Sequence, residues 1–222
     1  ASHNLKIKNF LNIGSSCIYP ANQNKPNDEN KLLNGKIEPT NEGYALAKIA
    51  CIKMCEYISR NSSMNYFSII PCNIYGPFDK FNETNSHVIG SLIKKIHVAK
   101  NNNKKTVEIW GNGKSKREFI YVDDVAYAIK SFLFTKKLII KKLFWVNIGS
   151  GIDYSITSIA KKIAKEFNYT GEFIYNTKKP NGAKSKLLDI KLSKLLGFKP
   201  KVKFDEGIKK TVSWYLKNYT SN

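Results

Sequence analysis

The sequence has no long apolar run, few cysteines and no leader-like start. No stretch reaches the ~18 consecutive apolar residues that a membrane-spanning helix needs, and the first residues, Ala1 to Lys6, contain no apolar run typical of a secreted protein. The four cysteines show no CxxC spacing and are too sparse for a disulfide scaffold. We therefore expect a cytoplasmic protein with reduced thiols, no bound metal and no membrane partner.

Acidic residues are also scarce. The chain has 17 Asp and Glu against 37 Lys and Arg, which gives a formal net charge of +20. Such an excess attracts polyanions and suggests nucleic acid as a partner. The lysines are nevertheless scattered among Asn and Ile residues, and no nucleic-acid-binding motif accompanies them. We expect no nucleic-acid partner, although the charge would favour an anionic small ligand such as a nucleoside diphosphate.

A third absence concerns glycine. A dinucleotide-binding fold uses an early GxxGxxG turn between its first strand and first helix, where backbone amides hold the pyrophosphate. This sequence contains no such turn. The segment Gly149-Ser150-Gly151 follows a predicted strand, but it lacks the third glycine and comes late in the chain.

What the sequence does contain predicts an α/β protein. At 222 residues, 42% of them hydrophobic, the chain is long enough for one large or two small domains. An apolar run at residues 10–13 predicts a buried parallel strand, and Asn41 is a candidate N-cap for an amphipathic helix. A second strand is predicted at residues 66–70, before a proline- and glycine-rich stop at residues 71–77. Strand, helix and strand in this order predict a parallel crossover unit.

The same signals continue towards the carboxyl end. The predicted elements are a helix from Val88, strands at residues 107–110, 119–122 and 144–148, a helix capped by Asp123 or Asp124, a helix capped by Ser155, and weaker helical patterns at residues 192–197 and 208–216.

The most informative group of polar residues is Ser15, Tyr44 and Lys48. Tyr44 and Lys48 have the YxxxK spacing, which places a phenol and an ammonium one turn apart on one helix face. A phenol is a poor acid or base at neutral pH, so a fixed cation is needed to stabilise its anion. The hydroxyl of Ser15, at a strand end, could hydrogen-bond the same substrate oxygen. Taken alone the spacing is common, and a core-facing tyrosine with a solvated lysine is the alternative.

The motifs around these residues narrow the interpretation. They are GSSCIYP from Gly14, EPTNE from Glu38, YALAKIA from Tyr44, PCNIYGP from Pro71, NSHVI from Asn85, REF from Arg117, VDD from Val122, NIGSG from Asn147 and KLLD from Lys186. Together they resemble the extended short-chain dehydrogenase/reductase family and, within it, the GDP-L-fucose synthases. The resemblance extends over almost the whole chain from about Leu11 onward.

The resemblance implies an NADPH-dependent enzyme acting on a GDP-4-keto-6-deoxy sugar. Such enzymes invert carbons 3 and 5, whose protons are acidified by the neighbouring ketone, and then reduce the ketone. By resemblance Cys17 is the base and His87 the acid of the inversion. Tyr44 protonates the developing alkoxide, assisted by Lys48 and Ser15. Without the resemblance, Cys17 would be a small buried residue and His87 a surface or capping one.

The resemblance also implies residues for the cofactor, NADP(H), and for the substrate, a GDP-linked keto-deoxy sugar. The cofactor residues are Ile13, Gly14, Ser15, Ser16, Lys48, Pro71, Cys72, Asn73, Ile74 and His87. The substrate residues are Lys95, Trp110, Arg117 and Asn181. A forked guanidinium suits a diphosphate and an indole offers an aromatic face. The alternatives are a solvated lysine, a core tryptophan and a turn-flanking arginine.

Three residues depart from the family pattern. Asn181 stands where a carboxylate is usual, Gly90 replaces a proline near a helix start, and Cys72 replaces a threonine. The change at Asn181 leaves the identity of the sugar open and would allow a related GDP-keto-deoxy sugar such as a heptose.

The family also has roughly ninety residues before the position of Ser15, which hold the first strands of the nucleotide fold. We therefore expect the carboxyl-terminal part of a Rossmann-type doubly wound parallel sheet plus a smaller α/β substrate-binding domain. Residues 1–78 are expected to form the partial NADP-binding domain and residues 79–222 mainly the substrate-binding domain. The strand near residues 144–148 is expected to return to the first sheet.

Two alternative functions stay open at this point. One is a single-function epimerase or reductase of a GDP-keto-deoxy sugar; the presence of both Cys17 and His87 favours epimerisation. The other is a non-catalytic nucleotide-sugar-binding subunit, which the missing glycine-rich turn would permit. The resemblance further implies a homodimer formed through the helix of Tyr44.

Overall fold

A computed structural model of the chain describes residues 2, 4–20, 25–83, 86–134, 143–179 and 186–219. Within these ranges strands and helices alternate along the chain, as the sequence predicts. They are β1 (Asn9–Ile13), α1 (Glu42–Asn61), β2 (Asn65–Pro71), β3 (Asn73–Tyr75), α2 (Val88–Asn101), β4 (Thr106–Trp110), β5 (Lys116–Tyr121), α3 (Val122–Leu133), β6 (Trp145–Ile148), β7 (Asp153–Ser155), α4 (Ile156–Glu166), β8 (Glu172–Asn176), α5 (Lys191–Leu195) and α6 (Phe204–Tyr219).

The predicted crossover unit is confirmed by β1, α1 and β2. β1 pairs parallel with β2, with Ile13 opposite Ile69, and β6 pairs parallel with the other side of β2. Ile52 of α1 is fully buried and belongs to the same apolar cluster as these strands. Because the three strands are parallel, their carboxyl ends lie at one edge of the sheet.

The remaining strands form two smaller sheets. β3, β5 and β7 make one sheet, in which β3 and β5 are parallel and β5 and β7 antiparallel. β4 and β8 pair parallel as a separate two-stranded sheet. Apolar faces of α2, α4 and α6 close a second core, in which Ile93, Ile163 and Ile208 are fully buried. No helix within the described ranges is both long and apolar enough to cross a membrane.

The predicted stop at residues 71–77 is only partly right, because Asn73–Tyr75 form β3. The chain leaves the first sheet after Pro71 and pairs again in the next sheet, with Asn73 opposite Phe119. The actual end comes at Gly76, whose φ of 153° suits glycine alone. This segment therefore joins two sheets.

The helix N-caps give a mixed outcome. The hydroxyl of Ser155 accepts the backbone N–H of Ser158 at 3.1 Å, which confirms the predicted cap of α4. The cap predicted at Asp123 or Asp124 is wrong, since α3 begins at Val122 with Tyr121 before it. Asp124 is buried and accepts instead the backbone N–H groups of residues 201 and 202, at 2.8 and 3.1 Å. Its carboxylate thus satisfies amides from a distant segment.

Asn147, at the end of β6, ties three distant segments together. Its side-chain oxygen accepts the hydroxyl of Tyr19 at 2.6 Å. Its side-chain nitrogen donates to the carbonyls of Asn27 and Asp189 at 2.8 and 3.1 Å, and its backbone N–H donates to Glu29. The residue is fully buried, so these bonds replace water for every polar group involved.

We expect the substitution Asn147→Ala to lower the free energy of unfolding by about 2–4 kcal/mol, because it leaves the buried hydroxyl of Tyr19 without its acceptor and removes a donor from the carbonyls of Asn27 and Asp189. Urea denaturation measures this change. Asn218→Ala is the matched control, since its amide donates to Trp214 at the surface of α6 and should cost under about 0.5 kcal/mol. Equal effects of the two substitutions would contradict the role given to Asn147.

Candidate active site

A cavity of about 730 Å³ lies at the carboxyl edge of β1 and β2. Among its lining residues are all ten that the sequence matched to the cofactor, Ile13, Gly14, Ser15, Ser16, Lys48, Pro71, Cys72, Asn73, Ile74 and His87. Cys17 and Tyr44 line it as well. The five residues predicted to be catalytic therefore share one cavity.

The first turns of α1 bring Tyr44 and Lys48 over the end of β1. The Nζ atom of Lys48 donates to the carbonyl of Ile13 at 2.8 Å and lies 5.7 Å from the centre of the Tyr44 ring. Tyr44 is 52% exposed, which excludes the alternative of a core tyrosine. Lys48 is held by the strand end rather than left to solvent. A phenol beside a fixed ammonium at a cavity wall can donate or accept a proton.

Ser15 and Cys17 follow β1 directly. The hydroxyl oxygen of Ser15 accepts the backbone N–H of Cys17 at 3.3 Å and caps the short 3-10 helix Ser16–Ile18. A hydroxyl that accepts in this way can still donate its own hydrogen to a ligand. Cys17 is a free, half-buried thiol on the cavity wall.

His87 stands immediately before the first residue of α2. It is exposed, and among the described residues its side chain caps no backbone amide. A Cβ at Gly90 would lie 2.4 Å from the carbonyl oxygen of Lys80, so the first turn of α2 packs directly against that segment. This close approach sets where α2 starts and hence where His87 meets the cavity.

A second cavity, of about 380 Å³, contains two of the predicted substrate residues, Lys95 and Trp110. The Nζ atom of Lys95 lies 5.2 Å from the centre of the Trp110 ring and donates to the carbonyl of Glu108 at 3.3 Å. Trp110 is 44% exposed, which excludes a core role. An exposed indole with a fixed ammonium beside it can hold an aromatic base or an anionic group.

The other two predicted substrate residues lie elsewhere. Arg117 is not among the described residues that line either cavity, although the charges of Cys17 and Glu38 act on it. Burial lowers the pKa of Arg117, and those two neighbours oppose the shift. Its Nη1 donates to the carbonyl of Lys116 at 2.7 Å. Asn181 lies outside the described residues.

Sequence reasoning missed several residues at these cavities. Lys179 lines the second cavity, with Nζ 5.3 Å from the centre of the Trp110 ring, so Trp110 has two ammonium neighbours. Phe78 lines the first cavity and is 87% exposed, and its ring centre lies 4.8 Å from that of Trp214 in a tilted arrangement. Asn41, interpreted as an N-cap, also lines that cavity. The available signal was that Lys179 lies two residues before Asn181, whereas nothing in the sequence pointed to Phe78.

Parallel strands whose carboxyl edge carries a serine and a tyrosine–lysine pair define a Rossmann-type nucleotide-dependent protein of the short-chain dehydrogenase/reductase class. A family model supports this assignment, since residues 1–146 match the NAD dependent epimerase/dehydratase family. The chain belongs to that family, which confirms the resemblance stated from its motifs.

Individual relatives are also similar to the chain. It is 45% identical over 221 residues to a GDP-L-colitose synthase of Yersinia pseudotuberculosis, with 97% of this chain and 70% of the relative covered. It is 40% identical over 223 residues to the GDP-L-fucose synthase of Escherichia coli (strain K12), with 98% and 70% covered. The chain thus spans about 70% of the length of these two relatives.

Solved structures of GDP-heptose enzymes are also similar to the chain. A GDP-D-glycero-L-gluco-heptose synthase from Campylobacter jejuni, determined in the presence of NADPH, has a TM-score of 0.83 at 30% identity, with 98% of this chain and 72% of that chain covered. A GDP-mannoheptose C4 reductase from Campylobacter jejuni, with NADP bound, has a TM-score of 0.82 at 31% identity, with 96% and 71% covered.

The four cysteines should differ in reactivity. Cys51 is exposed and Cys17 half-buried, whereas Cys55 and Cys72 are buried and burial raises the pKa of both thiols. We expect iodoacetamide at neutral pH to modify Cys17 and Cys51 at least roughly tenfold faster than the buried pair. Peptide mass spectrometry follows each site, with the urea-unfolded protein as control. Rapid modification of Cys72 in the folded protein would contradict the burial of this thiol.

Proposed function

We propose that the chain carries the catalytic side chains of an NADPH-dependent epimerase/reductase acting on a GDP-linked 4-keto-6-deoxy sugar. The observation that carries this proposal is the convergence of Ser15, Cys17, Tyr44, Lys48 and His87 on one cavity. Relatives named GDP-L-colitose synthase and GDP-L-fucose synthase support the GDP-sugar, and neighbours solved with NADPH or NADP support the cofactor.

The donor set of the larger cavity fits the nicotinamide half of NADP(H). Apolar side chains of Ile13, Pro71 and Ile74 suit the flat ring, while the ammonium of Lys48 and the amide of Asn73 can bond ribose and carboxamide groups. When bound, NADPH supplies a hydride. We assign residues 1–78 mainly to cofactor binding and residues 79–222 mainly to the substrate, with β6 belonging to the first sheet.

In the reduction, Tyr44 gives its phenolic proton to the alkoxide that forms at carbon 4. The ammonium of Lys48 stabilises the resulting phenolate, and its bond to the carbonyl of Ile13 fixes the distance between the two groups. Ser15 donates a hydrogen bond to the same oxygen and orients the ketone. The position of all three residues on the wall of one cavity supports these roles.

In the epimerisation, the thiolate of Cys17 removes a proton next to the ketone, and protonated His87 delivers one to the opposite face. The electron pair left on carbon moves onto the ketone oxygen, where hydrogen bonds from Tyr44 and Ser15 stabilise the enolate. The side chains of Cys17 and His87 come from two different elements, the turn after β1 and the start of α2. A substrate can therefore lie between them.

The second cavity would hold the GDP portion. The ammonium groups of Lys95 and Lys179 neutralise phosphate charge, and the indole of Trp110 packs against the nucleoside. Arg117 lies within electrostatic range of Cys17, which supports assigning it to the phosphate next to the sugar. Asn181 would contact the sugar itself.

We also propose a homodimer formed through α1. This helix has Tyr44 and Lys48 on its cavity side, yet Leu46, Met54 and Tyr57 are 51%, 60% and 66% exposed. Apolar side chains of this size, arranged along one helix, favour burial against a second copy.

A second candidate function is reduction without epimerisation. The similarity to a GDP-mannoheptose C4 reductase, at 31% identity, favours this alternative. The two candidates differ in whether Cys17 and His87 exchange protons with the substrate.

An isotope experiment on the protein in its full-length form separates these functions. GDP-4-keto-6-deoxy-mannose is supplied in deuterated water with and without NADPH. We expect deuterium at carbons 3 and 5 without NADPH, because proton exchange precedes reduction, and NADPH oxidation when it is added. Oxidation without deuterium would favour the reductase, whereas neither signal would contradict both.

The substitution Tyr44→Phe removes the proposed proton donor but keeps the ring. We expect kcat for NADPH oxidation to fall by about 10²–10⁴-fold, since that is the usual contribution of a positioned acid. Deuterium exchange should fall much less, because Cys17 and His87 are unchanged and Ser15 still donates to the enolate oxygen. Tyr127→Phe, at a tyrosine that is 41% exposed on α3 and lines neither cavity, is the matched control. Loss of activity in both variants alike would argue against a specific role for Tyr44.

A further inference from the structure

Glu118, in the middle of β5, is a buried carboxylate that the proposed chemistry does not use. Its side chain is fully shielded from solvent. A buried carboxylate is costly unless several donors satisfy it. The hydrogen-bond partners of Glu118 therefore indicate its structural role.

The partners of Glu118 come from three separate segments. Oε1 accepts the backbone N–H of Gly151 at 2.7 Å, and Oε2 accepts that of Leu188 at 2.8 Å. The backbone carbonyl of Glu118 accepts the side-chain amide of Asn73 at 2.8 Å. One residue thus links β3, the turn after β6 and the segment before α5.

The fit of the turn around this carboxylate is close. A Cβ on Gly149 would lie 2.2 Å from Oε1 of Glu118, so only glycine permits the turn to approach this far. Gly151 has a φ of 74°, which also favours glycine, and it directs its N–H at the same oxygen. The Gly149-Ser150-Gly151 segment, noted in the sequence as a weak phosphate-loop candidate, is thus shaped around Glu118.

One linked segment contributes to the candidate site, and another contacts the chain just before the helix of Tyr44. Asn73 lines the larger cavity. Lys186, two residues before Leu188, forms an ion pair with Glu38, just before the helix of Tyr44. Arg117 is the neighbour of Glu118 in the strand, within range of the charge of Cys17.

We infer that Glu118 is a positioning residue of the active site, which holds the cofactor edge at Asn73, the Gly149–Gly151 turn and the Leu188 segment in fixed relation. The inference rests on the proposed function. Glu118 is not among the described residues that line the two cavities; it acts by keeping these three segments aligned. Productive geometry depends on such alignment, since a shift of about 1 Å can cost about 10²-fold in rate.

The protonation of Glu118 gives this role a pH dependence. Burial raises its pKa to about 7, although the N–H groups of Gly151 and Leu188 oppose the shift; the charge of Asp153 adds to it. The other charged or titratable groups around it are Cys72, Lys116, paired with Asp153 at 3.6 Å, and Arg117 in the same strand. The ionised carboxylate is a pure acceptor, with lone pairs on both oxygens for these two backbone N–H groups.

The sign of the effect on stability follows from the raised pKa. The folded protein binds this proton more tightly than the unfolded chain does, so the contribution of Glu118 is largest below the ordinary carboxyl range. It is lost as pH rises towards about 7. Wild-type stability should therefore decline across this interval, and a neutral side chain at this position should remove that decline.

The test compares Glu118→Gln with Glu172→Gln, a control on the exposed strand β8. The full-length protein is assayed for kcat and KM with the GDP-keto sugar, for NADP⁺ and GDP affinity by calorimetry, and for unfolding from pH 5 to pH 8. We expect Glu118→Gln to lower kcat/KM by about 10- to 100-fold at pH 8. We also expect weaker binding of GDP and a flatter pH dependence of stability, while the control matches the wild type.

A second variant changes the glycine that packs against the carboxylate of Glu118. Gly149→Ala keeps the carboxylate but places a methyl group against it, so we expect the same losses. If Glu118→Gln fails to fold, this variant tests the positioning role in its place. The inference would be overturned if either variant unfolds at a lower temperature but keeps the wild-type affinities and kcat. If the wild type turns over no GDP-keto sugar, the proposed function fails, and the GDP and NADP⁺ affinities alone decide the role of Glu118.

Discussion

The parallel pairing of β1 with β2 is the constraint on which the candidate site depends. Parallel neighbours need a long crossover, and α1 provides it, so the start of this helix must return to the carboxyl edge of the sheet. That return places Tyr44 and Lys48 beside Ser15. The bond from Lys48 to the carbonyl of Ile13 then fixes the helix start to the strand end. A slip of one residue in the pairing of Ile13 with Ile69 would turn every side chain of β1 to the other face.

Local patterns in the sequence predict the parts of the fold that are set by local physics. Helical periodicity locates α1, α2 and α4, and the cap at Ser155 is predicted because its hydroxyl bonds an amide three residues away. β3 and β8 were missed because they exist only through pairing with β5 and β4. Asp124 was assigned the wrong role for a related reason, since the amides it accepts lie more than seventy residues away.

The residues of the candidate site also differ in whether local patterns or long-range pairing position them. Motifs and spacing were sufficient to select Ser15, Tyr44 and Lys48, because a strand end and one helix turn position them. The contact of Lys179 with Trp110 depends on long-range pairing instead, in which β8 pairs with β4 and Asn176 lies opposite Trp110. A turn closed by the N–H of Lys179, which donates to the carbonyl of Asn176, then brings the lysine to the indole. No local pattern carries that information.

Burial separates the two signs of charge in this molecule. The chain has a large excess of basic residues, and Lys48, Lys95 and Lys179 have their ammonium groups at cavity walls. The scarce acidic side chains include Glu118 and Asp124, which are buried and accept backbone amides from distant segments. A carboxylate inside the protein can be satisfied by backbone amides that need a partner in any case, whereas the ammonium groups of Lys48 and Lys95 donate to backbone carbonyls at cavity walls. The two interior acids therefore join distant segments of the chain, while the cations at the cavity walls stay accessible.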